Sequence, residues 1–217
     1  MKTRFLYWFA GCLMGLVMAA PIAASAAGTD AGGTQEAVHM LKSTAQDVMD
    51  KIRSHHSEYK QNPQKLYDLV DKEILPHFDA TYMSRLVLGY EWRNASSQQR
   101  QAFTKTFTQL LVHTYSNSLL EYSNANLEWK PVHAPANADN ITVRSQLTGA
   151  NTGSPVPIDY RVHKTNGQWE VYDVSVDGIS LVTNYRSSYT SIAREHGMDY
   201  LIKALKKKLQ HKESGQS

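Results

Sequence analysis

The sequence predicts an α+β fold in which a twisted antiparallel sheet of about four strands is flanked by helices on both sides in chain order. Three observations predict it. Apolar residues recur at three- and four-residue intervals from Val38 to Tyr122, they alternate in twos from Leu127 to Val176, and helical spacing returns from Val182 to Leu209.

The chain opens with Lys2 and Arg4 before an uncharged, mostly apolar run from Phe5 to Ala20, and Ala24-Ser25-Ala26 supplies a small-x-small cleavage pattern. That is the grammar of a secretory signal. The run falls short of the roughly 20 residues a spanning helix needs. Cleavage is expected after Ala26, so residues 1–26 form the signal peptide and residues 27–217 a single domain. Cys12, the only cysteine, lies in the segment to be removed. The exported domain therefore has no disulfide and no thiolate for a metal, and packing must supply its stability.

Charge narrows the partners. The 23 basic and 20 acidic residues come close to balance once Lys2 and Arg4 are gone, which speaks against general nucleic-acid binding. The basic excess gathers at Lys203, Lys206, Lys207, Lys208 and Lys212. Such a run suits a solvated helix C-terminus and its dipole, or else attraction to an anionic membrane or acidic partner.

The first helix of the domain is expected from near Gln35 through Tyr59, with Val38, Leu41, Ala45, Val48 and Ile52 on its packing face. Asn62-Pro63 reads as a cap followed by a proline at the first helical position, opening a second helix that Pro76 closes. Asp79 caps a short helix ending near Gly89. Ser96 and Gln99 have the spacing of a capping box, and the long helix they open carries Phe103, Phe107, Leu110, Leu111, Tyr115, Leu119 and Tyr122.

Strand alternation then runs through Leu127 and Trp129, Ile141, Val143 and Leu147, Ile158, Tyr160 and Val162, and finally Trp169, Val171, Val174 and Val176. Asn166-Gly167 predicts a tight hairpin turn between the last two strands. Val171 and Tyr172 are adjacent and both largely apolar, so either a bulge shifts the alternation there or the strand is covered on both faces. Two helices close the chain, the first stopping near Gly197.

Searches for catalytic chemistry return absences. The sequence has no Gly-x-Ser-x-Gly, no Gly-x-x-x-x-Gly-Lys and no His-Glu-x-x-His. Nine histidines are scattered, and the adjacent pair His55-His56 points about 100° apart on a helix, the wrong spacing for a metal clamp. Asp173 and Asp177 read as solvent-facing neighbours of Val174 and Val176 rather than paired acids. No catalytic residue, metal ligand or cofactor is assigned. The 12 tyrosines, four tryptophans and five phenylalanines fill either a solid core or the wall of a cavity, which periodicity does not distinguish.

An ordered set of segments carries a family resemblance: Phe78-Asp79 through Tyr82-Met83; Leu86-Val87-Leu88-Gly89 with Trp92; Gln99-Arg100-Gln101-Ala102-Phe103; Tyr115 with Leu119-Leu120-Glu121-Tyr122; Gly167 through Val174; and Gly178-Ile179-Ser180-Leu181-Val182 into Asn184-Tyr185-Arg186. The chain resembles the MlaC family of periplasmic phospholipid-binding proteins, also called toluene-tolerance proteins. Asp177 stands where that family favours glutamate, and Ile179 where it favours valine.

The resemblance implies a twisted sheet wrapped by helices around an apolar pocket for acyl chains, with the headgroup at its mouth. It also implies a periplasmic carrier that maintains outer-membrane lipid asymmetry. Phospholipid would pass between an outer-membrane lipoprotein complex and an inner-membrane ABC transporter, each docked transiently. On this reading the lipid-binding residues come from helices (Met83, Leu86, Val87, Phe103, Phe107, Leu111 and Tyr115) and from strands (Val143, Leu147, Tyr160, Val162, Trp169, Val171 and Val174). Arg186, in the first C-terminal helix, would either steady the phosphate through charge-assisted hydrogen bonds or sit on the surface as an ordinary solvated arginine. The competing readings are a carrier of another lipid such as a hopanoid, a non-lipid envelope adaptor, and an exported hydrolase.

Overall fold

The computed structural model describes residues 32–135, 137–149 and 153–214; the expected signal peptide and its cleavage site lie outside them. Helix α1 covers Gly32–Ser54 and turns into the short α2, His56–Gln61, at His55, whose ψ of 26° departs from helix. The periodicity that ran on to Tyr59 thus crosses a break. Helix α3, Pro63–Glu73, begins on its proline as expected, but the Asn62 side chain makes no cap; its backbone N–H instead donates to Glu58 O and closes α2. A single 3₁₀ turn, Leu75–His77, leads to α4, Ala80–Leu88. Asp79 caps α4 by accepting from Tyr82 N at 2.8 Å. Gly89, at φ 57° and ψ −117°, ends it in a region closed to side chains.

After α5, Tyr90–Asn94, the reciprocal Ser96–Gln99 capping box starts α6, Ser97–Glu121. Five strands follow: β1 Asn126–Trp129, β2 Asn140–Thr148, β3 Val156–Thr165, β4 Gln168–Val176 and β5 Ile179–Ser180. They form one open antiparallel meander in chain order. The fifth strand has two residues, too few for alternation to reveal. Helices α7, Leu181–His196, and α8, Met198–Glu213, meet at Gly197, φ 85°.

The irregularity at Val171-Tyr172 is a bulge. Arg161 pairs with Asp173 while its neighbour Val162 pairs with Val171, so β4 carries the extra residue, Tyr172. Trp169 and Val171 face inward before it, Val174 and Val176 after it. Asp173 is thereby turned away from that face. It is not solvent-facing as expected from sequence: it is 1% exposed, with Ser180 Oγ donating to one carboxylate oxygen at 2.6 Å and Val182 N to the other at 3.1 Å. The start of α7 is fastened to the sheet there.

Burial divides the interior into three apolar clusters. Helices α4, α6, α7 and α8 pack around Phe103, Phe107, Leu110 and Leu201. Helix α1 lays Ala37 and Leu41 on Ile141, Val143, Val162, Trp169 and Val171 of the sheet. Val48, Ile52, Leu66 and Leu69 join α1 to α3, with Leu119 and Leu120 of α6 against them. Space remains where the three adjoin.

Candidate functional site

That space is a cavity of about 640 Å³. Its walls come from every layer of the fold. Helix α1 contributes Met40, Leu41, Thr44, Ala45, Val48 and Met49; the α3–α4 connection contributes Ile74, Leu75 and Phe78; and α6 contributes Phe107, Leu111, Val112, Tyr115, Leu119 and Tyr122. Leu127, Leu147, Val156, Ile158, Tyr160, Val171, Val174 and Val176 close it from the sheet. Ser118, Val176, Ile179 and Asn184 line it and are also exposed, which marks where it opens to solvent.

The walls hold no carboxylate, ammonium or guanidinium; His77 is the one basic side chain among them. Two of the polar side chains at the wall have partners within the protein. Ser116 Oγ donates to Val112 O at 2.6 Å, and the Tyr115 and Tyr185 hydroxyls lie 3.4 Å apart. Burial pushes the Tyr185 hydroxyl far above the ordinary tyrosine range, with the bond to Tyr115 adding to it, and pushes Tyr189 up to about 12. Both stay neutral at physiological pH. Native interiors are close-packed, so an apolar, uncharged space of this size with an open end has the chemistry of a site for a hydrocarbon ligand.

The structure sorts the residues assigned from sequence. Met83, Phe107, Leu111, Tyr115, Leu147, Tyr160, Val171 and Val174 line the cavity. Leu86, Val87 and Phe103 belong instead to the helical cluster, and Val143, Val162 and Trp169 to the cluster of α1 and the sheet. The cause is the neighbour each meets: in these places a packed helix or strand covers the apolar face, and no space is left. Val143, at 0% exposure, is solid core. Arg186 is exposed and outside the lining, with its Nη2 3.3 Å from where a Cβ on Gly89 would stand. It packs over the α4–α5 junction.

Sequence reasoning missed the contribution of α1. Leu41, Ala45 and Val48 were recognised as a packing face, but the same stripe widens through Met40, Thr44 and Met49, and these face space. Ile158 and Leu127, which alternation marks only as strand residues, also line the cavity. The available signal was the pair of methionines beside a threonine on an otherwise packed helix, since methionine suits irregular apolar surfaces.

Comparison with known proteins agrees with this geometry. The family model described as MlaC protein matches residues 42–207. The chain is 28% identical over 165 residues to the intermembrane phospholipid transport system binding protein MlaC of Haemophilus influenzae, covering 75% of this chain and 77% of that protein. It is 27% identical over 161 residues to toluene tolerance protein ttg2D of Pseudomonas putida, covering 74% of each. The structure of a phospholipid-binding protein from Ralstonia solanacearum, solved in complex with a phospholipid, superposes with a TM-score of 0.75 at 30% identity, covering 82% of this chain and 98% of that one.

Proposed function

The chain belongs to the MlaC family, and from that premise we propose that it is a phospholipid carrier, its cavity enclosing the acyl chains while the headgroup remains at the mouth beside Asn184 and Ile179. The observation that carries this reading is the cavity itself, apolar, uncharged and open at one end, in a fold whose relatives are named for phospholipid binding and transport. The need for such a carrier is thermodynamic. Exposing two chains of roughly sixteen carbons to water costs about 0.8 kcal/mol per methylene, on the order of 25 kcal/mol in all. Unassisted passage through an aqueous compartment is negligible at that cost.

The finer parts of the proposal follow from the premise. The chain is exported to the periplasm, begins at Ala27 after cleavage, acts on no covalent bond of its ligand, and exchanges lipid by docking in turn on an outer-membrane lipoprotein complex and an inner-membrane transporter. Among the described residues no helix is long and apolar enough to cross a membrane.

A direct test incubates delipidated protein with phosphatidylglycerol and phosphatidylethanolamine vesicles, recovers the protein by size exclusion and extracts its lipid. Phospholipid recovered with the protein, and lost when Ile158 is replaced by Trp, supports the carrier. Failure to acquire phospholipid from any vesicle would refute it.

A further inference from the structure

Away from the cavity interior, the fold brings three potential metal ligands together from three elements. Asp79 is the cap of α4, His163 lies on β3, and Glu170 is its cross-strand neighbour on β4. One ligand atom from each lies within 4.8 Å of the others, and all three residues are half-buried. We propose that Asp79, His163 and Glu170 form a divalent-cation site, of the nitrogen-and-carboxylate kind that zinc occupies.

The Asp79–His163 half of the site is held before any ion arrives. Tyr82 N donates to Asp79 Oδ1 at 2.8 Å, which leaves Oδ2 turned toward His163 Nε2 at 3.1 Å. Backbone donation to the far oxygen is the kind of outer contact that orients a ligating carboxylate. The imidazole is held in a cluster of three rings, with Tyr82 stacked at 4.9 Å and Tyr172 tilted against it at 5.1 Å, the two tyrosines themselves 5.4 Å apart. Thr165 Oγ1, 3.4 Å from Nε2, completes the polar surroundings.

The contact between Asp79 and His163 accounts for those two side chains but not for that of Glu170, which makes no hydrogen bond or ion pair among the described residues. Two carboxylates beside one imidazole leave excess negative charge in a half-buried place, and a dication neutralises it. The separation of 3.1 Å also fits a shared ion. A zinc about 2.0–2.1 Å from each atom would subtend an angle of about 98° at the metal, between octahedral and tetrahedral values. Glu170, with an oxygen within 4.8 Å of both, would close in on the ion, and water would fill further positions.

The site would tie α4 to the sheet. Asp79 N already donates to Val171 O at 2.9 Å, and Phe78, Ala80 and Met83 on either side of Asp79 line the cavity with Val171. A bound cation would therefore brace one cavity wall. This inference stands on the three ligands and does not depend on what the cavity carries.

The test uses untagged protein stripped with a chelator and titrated with zinc chloride, followed by calorimetry and by thermal unfolding. We expect one zinc bound per chain and a zinc-dependent rise in Tm. Glu170→Gln keeps the Asp79–His163 pair, and should weaken zinc binding by about tenfold or more while leaving Tm in chelator at the wild-type value. His163→Ala should abolish binding. Because that variant also removes a stacked ring and with it some stability, Glu170→Gln decides. Zinc affinity equal in Glu170→Gln and wild type, or no saturable binding in wild type, would overturn the site and leave an ion pair only.

Discussion

Ser180 Oγ and Asp173 Oδ2 lie 2.6 Å apart, and the same serine oxygen accepts from Thr183 N at 3.0 Å, so one hydroxyl caps α7 and anchors it to β4 at once. Asp173 Oδ1 takes a second donor, Val182 N. Removing the carboxylate leaves the buried Val182 N–H and the Ser180 O–H without their acceptor. Asp173→Ala should cost about 2–4 kcal/mol, and Asp173→Asn, which keeps one acceptor, clearly less. Urea unfolding of the two variants checks this, and a cost for Asp173→Ala within error of zero would mean that α7 is held by other contacts. The bulge at Tyr172 is what makes the arrangement possible, because it turns Asp173 outward while keeping Val174 in the cavity wall.

Solid core and cavity wall predict opposite outcomes for the same substitution. Val143→Trp, at a fully buried position packed on α1, should destabilise by about 1–3 kcal/mol or more and leave the lipid content of the folded fraction unchanged. Ile158→Trp, two strand positions before Tyr160 on the cavity wall, should leave the delipidated Tm near normal and cut bound lipid sharply. Delipidated samples are needed because ligand raises apparent stability. Equal lipid loss in both variants would erase the distinction.

Gly89 and Arg186 form a third test. At φ 57° and ψ −117° a side chain is strained at Gly89 whatever the space, and a Cβ would stand 3.3 Å from Arg186 Nη2. Gly89→Ala should cost about 1–3 kcal/mol, most of it persisting when Arg186→Ala is added. Arg186→Ala alone should leave lipid occupancy at the wild-type level, and a large loss would return Arg186 to the headgroup.

Alkaline pH probes the tyrosines beside the cavity. Tyr185 and Tyr189 ionise at higher pH in the folded protein than in the unfolded chain, where tyrosine titrates near 10. The stability from their neutral forms is whole below pH 10 and declines as pH rises from about 10 to 12, because only the unfolded chain gains from ionising. The buried Tyr189 hydroxyl has no hydrogen-bond partner among the described residues. Tyr189→Phe should therefore cost little at pH 7 and flatten the alkaline decline seen in urea unfolding; a decline as steep as in wild type would contradict this.

What the sequence revealed was local. The Ser96–Gln99 box, the Asp79 cap, the Asn166-Gly167 turn and the break in alternation at Val171-Tyr172 each act over a few residues, and each is present in the fold. What it hid depends on partners distant in the chain. Val143 and Leu147 share one face of β2, yet Val143 meets α1 and Leu147 meets space. Nothing in their own alternation separates them. Asp173 reads as a polar strand-end residue until α7 folds back on it, and Asp79, His163 and Glu170 converge only when the α4 cap reaches the sheet.

Mass spectrometry of lipid extracted from the natively purified protein tests the carrier reading most directly. A phospholipid carrier yields diacyl phospholipid in stoichiometric amount, lost in Ile158→Trp and retained in Arg186→Ala. A triterpenoid in its place, or protein that carries no lipid at all, would contradict it.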